Sequence, residues 1–243
     1  MDSRNSTAIV TGAAKRVGAA IAQALADGGW TVLAHVHHQE DTVADGMTRV
    51  AADLADTDCA ARIFAAAEGL PPVRLLVNNA ARFAGDSVGA FSAAEFDAHM
   101  AVNVRAPALL TQRFAERCDG EGLIVNLLDA KLAALNPDFL SYTLSKFALA
   151  ALTELSARAL AGKGIRVCGI APALMLKSPG QSEANFAAAH AHNPLRRGVE
   201  PDDVVAALRY LIAAKSITGE VLTIDGGQRF WALTRDVQFL ETK

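Results

Sequence analysis

Thr11-Gly12-Ala13-Ala14-Lys15-Arg16-Val17-Gly18 follows directly on an apolar, strand-like run and leads directly into a segment of helical period. That setting turns two glycines into a phosphate cradle. Gly12 permits the tight turn, Gly18 permits close helix packing, and the helix N-terminus offers oriented N–H groups to a pyrophosphate. Arg16 stands where a third glycine is common. In isolation an ordinary strand-to-helix turn would read the same way, so the weight rests on what surrounds it.

Outward from this turn, short apolar runs alternate with longer helical segments, the sign of βαβ units around a parallel sheet. Strands are expected near 7–11, 31–37, 48–52, 73–78, 122–128, 165–170 and 220–224, and helices near 17–28, 56–68, 93–117, 139–162 and 201–213. Runs such as Leu75-Leu76-Val77 and Leu123-Ile124-Val125 are apolar without alternation, as strands covered on both faces are. The expected fold is α/β: one doubly wound, Rossmann-type domain over 1–243, with about seven parallel strands and helices on both faces. Residues 174–193, with Pro179-Gly180 inside, follow a strand where ligand sites of open α/β sheets form, and are expected to be a substrate loop or lid.

The 243 residues, 51% of them apolar, suffice for one substantial core. The net charge of −3 comes from 26 acids and 23 bases with no basic block, which argues against a nucleic-acid partner. Cys59, Cys118 and Cys168 are too scattered for a disulfide framework or a paired-cysteine metal site. Met1 to Ser6 leave no room for a secretory signal and no apolar stretch reaches a membrane span, so a cytoplasmic protein is expected.

Where the second strand ends, NAD-selective folds place a carboxylate on the adenosine ribose. This chain has His35-Val36-His37-His38 there. Arg16 and imidazoles can donate to a 2′-phosphate, so NADPH/NADP is favoured over NAD, although Glu40 and Asp41 lie close by. The histidines lack further ligands at metal-site spacing, and no metal is expected. Asp53-Leu54 after the third strand places a carboxylate for the adenine amino group or, equally, for a helix cap.

Tyr142 and Lys146, four apart in an expected helix, project from one face. An ammonium there favours phenolate and brings the phenol toward proton transfer near neutral pH. With Thr11-Gly12 and Gly18, Asn78-Asn79-Ala80-Ala81, Asn103, Ala171-Pro172 and Asp225-Gly226-Gly227 in order, the chain resembles the short-chain dehydrogenase/reductase family over nearly its whole length. The resemblance implies that Tyr142 exchanges the proton, Lys146 binds the nicotinamide ribose and tunes Tyr142, and Asn103 supports a proton-relay water. It also implies a cofactor surface of Gly12, Lys15, Arg16, Val17, Gly18, His35, His37, His38, Asp53, Leu54, Asn79, Ala80, Ala81, Lys146 and Pro172.

Most members carry a serine thirteen residues before the tyrosine; this chain has Asp129. A carboxylate repels a carbonyl oxygen that is gaining charge, but suits a nitrogen heterocycle as an acceptor or proton source. In this the chain is similar to the pteridine reductase and dihydromonapterin reductase branch, which implies that Phe83 stacks on the pterin and Arg16 touches phosphate and substrate. The implied substrate surface is Arg16, Phe83, Asp129, Tyr142, Leu174 and Met175. Ala81 and Met175 stand where that branch often has a polar group, and His38 where Arg is common. Reduction of a pterin C=N bond is the expectation. A carbonyl or 3-oxoacyl-thioester reductase, or a non-catalytic NADP-binding regulatory protein, are the alternatives. A homotetramer or homodimer is implied, and the apolar tail 228–243, with Phe230, Trp231, Phe239 and Leu240, either reaches a neighbour's site or packs on its own subunit.

Overall fold

A computed structural model describes residues 3–177 and 181–239; Pro179-Gly180 of the expected lid and Leu240 to Lys243 of the tail lie outside them. The chain runs β1 (Thr7–Val10), α1 (Arg16–Asp27), β2 (Thr31–Val36), β3 (Thr48–Ala51), α2 (Cys59–Ala65), β4 (Val73–Asn78), α3 (Ala93–Met100), α4 (Ala106–Arg117), β5 (Gly122–Leu127), α5 (Leu140–Leu160), β6 (Ile165–Pro172), α6 (Glu183–His190), α7 (Pro201–Ala213) and β7 (Val221–Ile224). The seven strands are all parallel in the order β3-β2-β1-β4-β5-β6-β7, with Ile9 paired to Leu33 on one side and Leu76 on the other. The chain leaves β1 first toward β2 and then toward β4, and a crevice opens beyond the carboxyl ends of strands at such a reversal.

The two-residue period of each strand divides the core into two layers. Val10, Ala34, Val77 and Val125 meet Ile21 and Leu25 of α1 and Leu208 and Leu211 of α7 on one face. On the other face Ile9, Leu33, Leu76 and Ile124 meet Ile63 of α2 and Leu110 and Phe114 of α4. Each fully buried aliphatic or aromatic side chain contributes about 1.5–3 kcal/mol, enough to fix the strand register that places the crevice.

Three elements depart from the sequence expectation. The continuous helix expected over 93–117 widens into a π-helical turn at Ala101–Arg105 between α3 and α4. Pro107 cannot donate to the carbonyl four residues before it, that of Asn103, so the regular ladder is interrupted there. The expected helix 56–68 shortens to Cys59–Ala65, because Asp53 instead turns the chain through a side-chain bond from Ala55 N–H at 2.8 Å. Within 174–193 the chain forms α6, whose Ser182 hydroxyl caps it by accepting from Asn185 N–H at 3.1 Å. Among the described residues no helix is long and apolar enough to cross a membrane.

Candidate active site

The glycine turn is held from below by a polar clamp. Thr11 Oγ1 accepts from the N–H groups of Asn79 at 2.9 Å and Ala80 at 3.0 Å, while Asn79 Nδ2 donates to Thr11 O at 2.8 Å. Gly12 takes φ +67°, and a Cβ on Gly18 would lie 2.0 Å from the Gly12 carbonyl oxygen, so a side chain at 18 would expel the turn. Arg16 itself adopts φ 56° at the place of the missing third glycine. Its guanidinium reaches the loop after β6, donating to the carbonyls of Lys177 and Leu176 at 3.3 and 3.4 Å. Lys15 precedes α1 without a side-chain cap, so the first-turn N–H groups of α1 are left for a ligand.

A cleft of about 470 Å³ opens at this turn. It brings together Gly12, Lys15, Arg16, Val17 and Gly18 with Asn79, Ala80 and Ala81. His37, Asp53 and Leu54 line one end, and Tyr142, Lys146, Pro172 and Met175 the other. The residues suit a dinucleotide: an uncapped helix N-terminus with two cationic side chains at its centre, and imidazole and carboxylate groups at the outer end.

His35 also borders the cleft, yet its role differs from the expected donor to a phosphate. Gly12 N–H donates to Nδ1 at 3.2 Å, and Nε2 lies 2.9 Å from Ala52 O, so both ring nitrogens are used inside the protein. Burial lowers its pKa and favours the neutral ring that this pairing requires. His37 faces Asp53 at 4.0 Å, and His38 stands edge-on to His37 with ring centroids 4.0 Å apart, outside the cleft lining. Asp41 is turned away, accepting from His38 N–H at 3.0 Å, and neither Glu40 nor Asp41 lines the cleft.

At the inner end Tyr142 Oη donates to Asp129 Oδ2 at 2.8 Å, and Asp129 Oδ1 accepts from Lys131 N–H at 2.9 Å. Lys146 Nζ donates to Leu127 O at 2.6 Å and lies 5.6 Å from the Tyr142 ring centroid. Burial brings the Lys146 ammonium down to about 8, with Asp129 opposing the shift. The sequence expectation that Lys146 lowers the tyrosine is reversed in this geometry. Burial first, and the Asp129 carboxylate second, push the Tyr142 phenol well above its ordinary value. The carboxylate touches the hydroxyl directly, and the ammonium does not.

Beyond Tyr142 a second, smaller hollow of about 110 Å³ joins the cleft, walled by Phe83, Asp129, Lys131, Phe139 and Leu174. Phe83 stacks on Phe139 with centroids 4.6 Å apart and meets the Tyr142 ring edge-on at 4.7 Å. Its backbone neighbours are pinned. Asn103 accepts from Arg82 N–H at 2.7 Å and donates to Arg82 O at 3.0 Å, and His99 Nε2 accepts from Ala84 N–H at 3.3 Å. Asn103 also donates to Ser145 Oγ at 2.9 Å, tying the π-helical turn to α5 one residue before Lys146.

Several of these contributors escape the sequence reading. His99 is fully buried in α3, and only an apolar helix face holding one histidine hints at it. Lys131 and Phe139 flank the named motifs without belonging to them. Gln228, Arg229, Asp236 and Val237 of the tail complete the hollow's wall from the same chain, a contact made across a distance in sequence that periodicity cannot encode.

Residues 12–229 match the family model described as enoyl-(acyl carrier protein) reductase. The chain is 31% identical to pteridine reductase 1 of Leishmania tarentolae, over 94% of this chain and 96% of that protein. It is also 31% identical to galactitol 2-dehydrogenase (L-tagatose-forming) of Cereibacter sphaeroides, over 92% and 95%. Among solved structures, alternative dihydrofolate reductase 1 (FolM) of Brucella suis, in complex with NADP, superposes with a TM-score of 0.89 at 37% identity, covering 94% of this chain and 97% of that one. With a seven-stranded parallel sheet, a glycine turn at its reversal point and a tyrosine and lysine from one helix at the cleft, the chain belongs to the short-chain dehydrogenase/reductase family.

Proposed function

We propose that the protein is an NADPH-dependent reductase that delivers a hydride to a C=N bond of a pterin ring. The observation that carries this reading is the 2.8 Å bond from Tyr142 Oη to Asp129 Oδ2 at the junction of the two cavities. A ketone needs donors around its oxygen as charge develops there, and a carboxylate in that position opposes it. A ring nitrogen and its N–H neighbours are served by a carboxylate acceptor backed by a phenol donor. The similarity to pteridine reductase 1 and to FolM agrees with this chemistry.

NADPH, when bound, supplies the hydride. Gly12, Val17 and Gly18 would hold its pyrophosphate by backbone groups, and Lys15, Arg16 and His37 would favour a 2′-phosphate over a bare ribose hydroxyl. Asp53 and Leu54 would bound the adenine, and Asn79, Ala80, Ala81, Lys146 and Pro172 the nicotinamide half. Phe83 offers its exposed face to the ring, with Leu174 and Met175 beside it. Asp129 orients the Tyr142 hydroxyl, and Tyr142 is the proton donor; Asn103 ties the donor helix to the Phe83 loop, and Lys146 ties it to the end of β5. Arg16, bonded to the carbonyls of Leu176 and Lys177, would hold the start of the loop after β6 beside the ring.

The test is NADPH consumption by purified protein with dihydrobiopterin, dihydromonapterin and dihydrofolate, alongside a panel of ketones and 3-oxoacyl thioesters. Turnover with a pterin is expected, and Asp129→Ser should abolish it. Rapid ketone reduction with no pterin turnover would refute the reading, as would tight NADPH binding with no turnover of any acceptor.

A further inference from the structure

The segment after β7 forms a wall of the hollow and is fastened at both ends. At its root Arg229 Nη1 donates to Asp225 Oδ1 at 2.6 Å, and Gln228 Nε2 donates to His192 O at 3.0 Å. At its tip Arg235 Nε and Nη2 donate to the Asp138 carboxylate at 2.8–3.0 Å, and Asp236 N–H donates to the same carboxylate at 2.7 Å. Asp236 Oδ2 lies 3.6 Å from Lys131 Nζ, a side chain 8% exposed inside the hollow, and Lys131 also donates to the Asp138 carbonyl. Phe239 stacks on Phe139 at 5.6 Å, Phe139 stacks on Phe83, and the Arg235 guanidinium closes the column 5.3 Å above Phe239.

Size gives this wall its meaning. A cavity of about 150 Å³ accepts a single benzene. The hollow of about 110 Å³ is smaller than that and open on one side, so it has room for no more than about one ring. Leu233, Asp236 and Val237 form part of that wall, so a long substituent directed toward them would need the segment to lift.

We propose that residues 228–239 determine substrate size: latched in cis by Arg235 on Asp138 and by Asp236 on Lys131, they admit a compact heterocycle and oppose one bearing an extended arm. Arg235 is a positioning residue in this scheme, since it acts on the substrate only through the segment it holds. The inference rests on the pterin reading for its choice of probes, and its test separates the two.

Steady-state kcat/KM is measured for 7,8-dihydrobiopterin and for 7,8-dihydrofolate, which carries an aminobenzoyl-glutamate arm on the same ring, in wild type, Arg235→Ala and Arg235→Lys. The wild type is expected to favour the compact substrate by about tenfold or more, equivalent to about 1.4 kcal/mol. Arg235→Ala should shrink that ratio by about tenfold, chiefly through a lower KM for dihydrofolate, and Arg235→Lys should recover most of the discrimination. Equal kcat/KM for both substrates in the wild type, or a ratio unmoved by Arg235→Ala, overturns the proposal. If neither pterin is turned over, the pterin reading fails by itself, and the same ratio is taken on a small and a bulky ketone with the same two outcomes.

Discussion

The sequence contains two tyrosines, Tyr142 and the exposed Tyr210, so Tyr210→Phe leaves Tyr142 as the sole reporter of tyrosinate absorption near 295 nm. In that background Tyr142 should resist ionisation beyond a free tyrosine's pKa of about 10, because burial and then Asp129 both oppose the phenolate. Asp129→Asn keeps an acceptor of the same shape and removes the charge. A hydrogen bond to a charged group is worth about 1.5–3 kcal/mol and a neutral one about 1, so the exchange removes about 0.5–2 kcal/mol from the protonated form. Loss of the repulsion between carboxylate and phenolate adds to this in the same direction. The tyrosinate fraction at a fixed alkaline pH should rise by about tenfold or more, at about 1.4 kcal/mol per decade. Far-UV circular dichroism over the same range shows whether the chain is still folded. Sign matters here. A phenol raised in the folded state stabilises the fold below pH 10, and this stability is lost as pH climbs through the folded pKa, so alkaline unfolding should be steeper with Asp129 than with Asn. Wild-type Tyr142 titrating below 10, or an unchanged fraction in Asp129→Asn, would refute the electrostatic account of the site.

Lys146 is charged below about pH 8 and neutral above it, so reductive kcat/KM should fall with rising pH around that midpoint if the ammonium holds the cofactor. The unfolded chain binds this proton up to about 10.5, so urea stability should rise between pH 8 and 10, and Lys146→Met should remove that rise. Gly18→Ala forces a Cβ to 2.0 Å from a backbone oxygen and should weaken NADPH binding, read by cofactor fluorescence, by well over about tenfold. Asn103→Ala strips three hydrogen bonds from the Phe83 loop and α5, and should cost about 2 kcal/mol, seen as a melting temperature lower by roughly 4–8 °C. His99→Ala frees Ala84 and should raise KM for a stacking substrate more than it lowers kcat, measured over a substrate series.

Local periodicity and turn chemistry carry most of the fold. The parallel strands have to be apolar on both faces, and β1, β4 and β5 are legible from that alone. The π-helical turn was not, because Pro107 within four residues of Asn103 reads equally as a helix start. At the site, Tyr142 and Asp129 are thirteen apart in sequence and joined by one hydrogen bond, so a spacing known from a motif suffices to pair them. The direction of the tyrosine's shift is not legible in the sequence, because helical spacing places Lys146 near the ring but says nothing of how deeply both are buried. His35 illustrates the same limit. A histidine at a strand end looks available to a phosphate, and only the backbone of a neighbouring turn reveals that both nitrogens are spent. The tail's latch joins Arg235 to Asp138 across 97 residues, with no local signature at either end.

The Tyr142–Asp129 bond also bears on the pH at which the reaction runs. An oxidation of an alcohol or amine by this site would need Tyr142 to begin as phenolate and take up a proton, the very state that its surroundings penalise. The equilibrium between substrates is not altered, but the pH at which each direction becomes kinetically accessible is. At neutral pH Tyr142 carries its proton, and the same surroundings make it release that proton less readily, so the bond weighs on proton transfer in both directions. With Asp129 beside the phenol, the pH profile of proton transfer at Tyr142 moves as a whole, while the balance between the two directions stays where the equilibrium puts it.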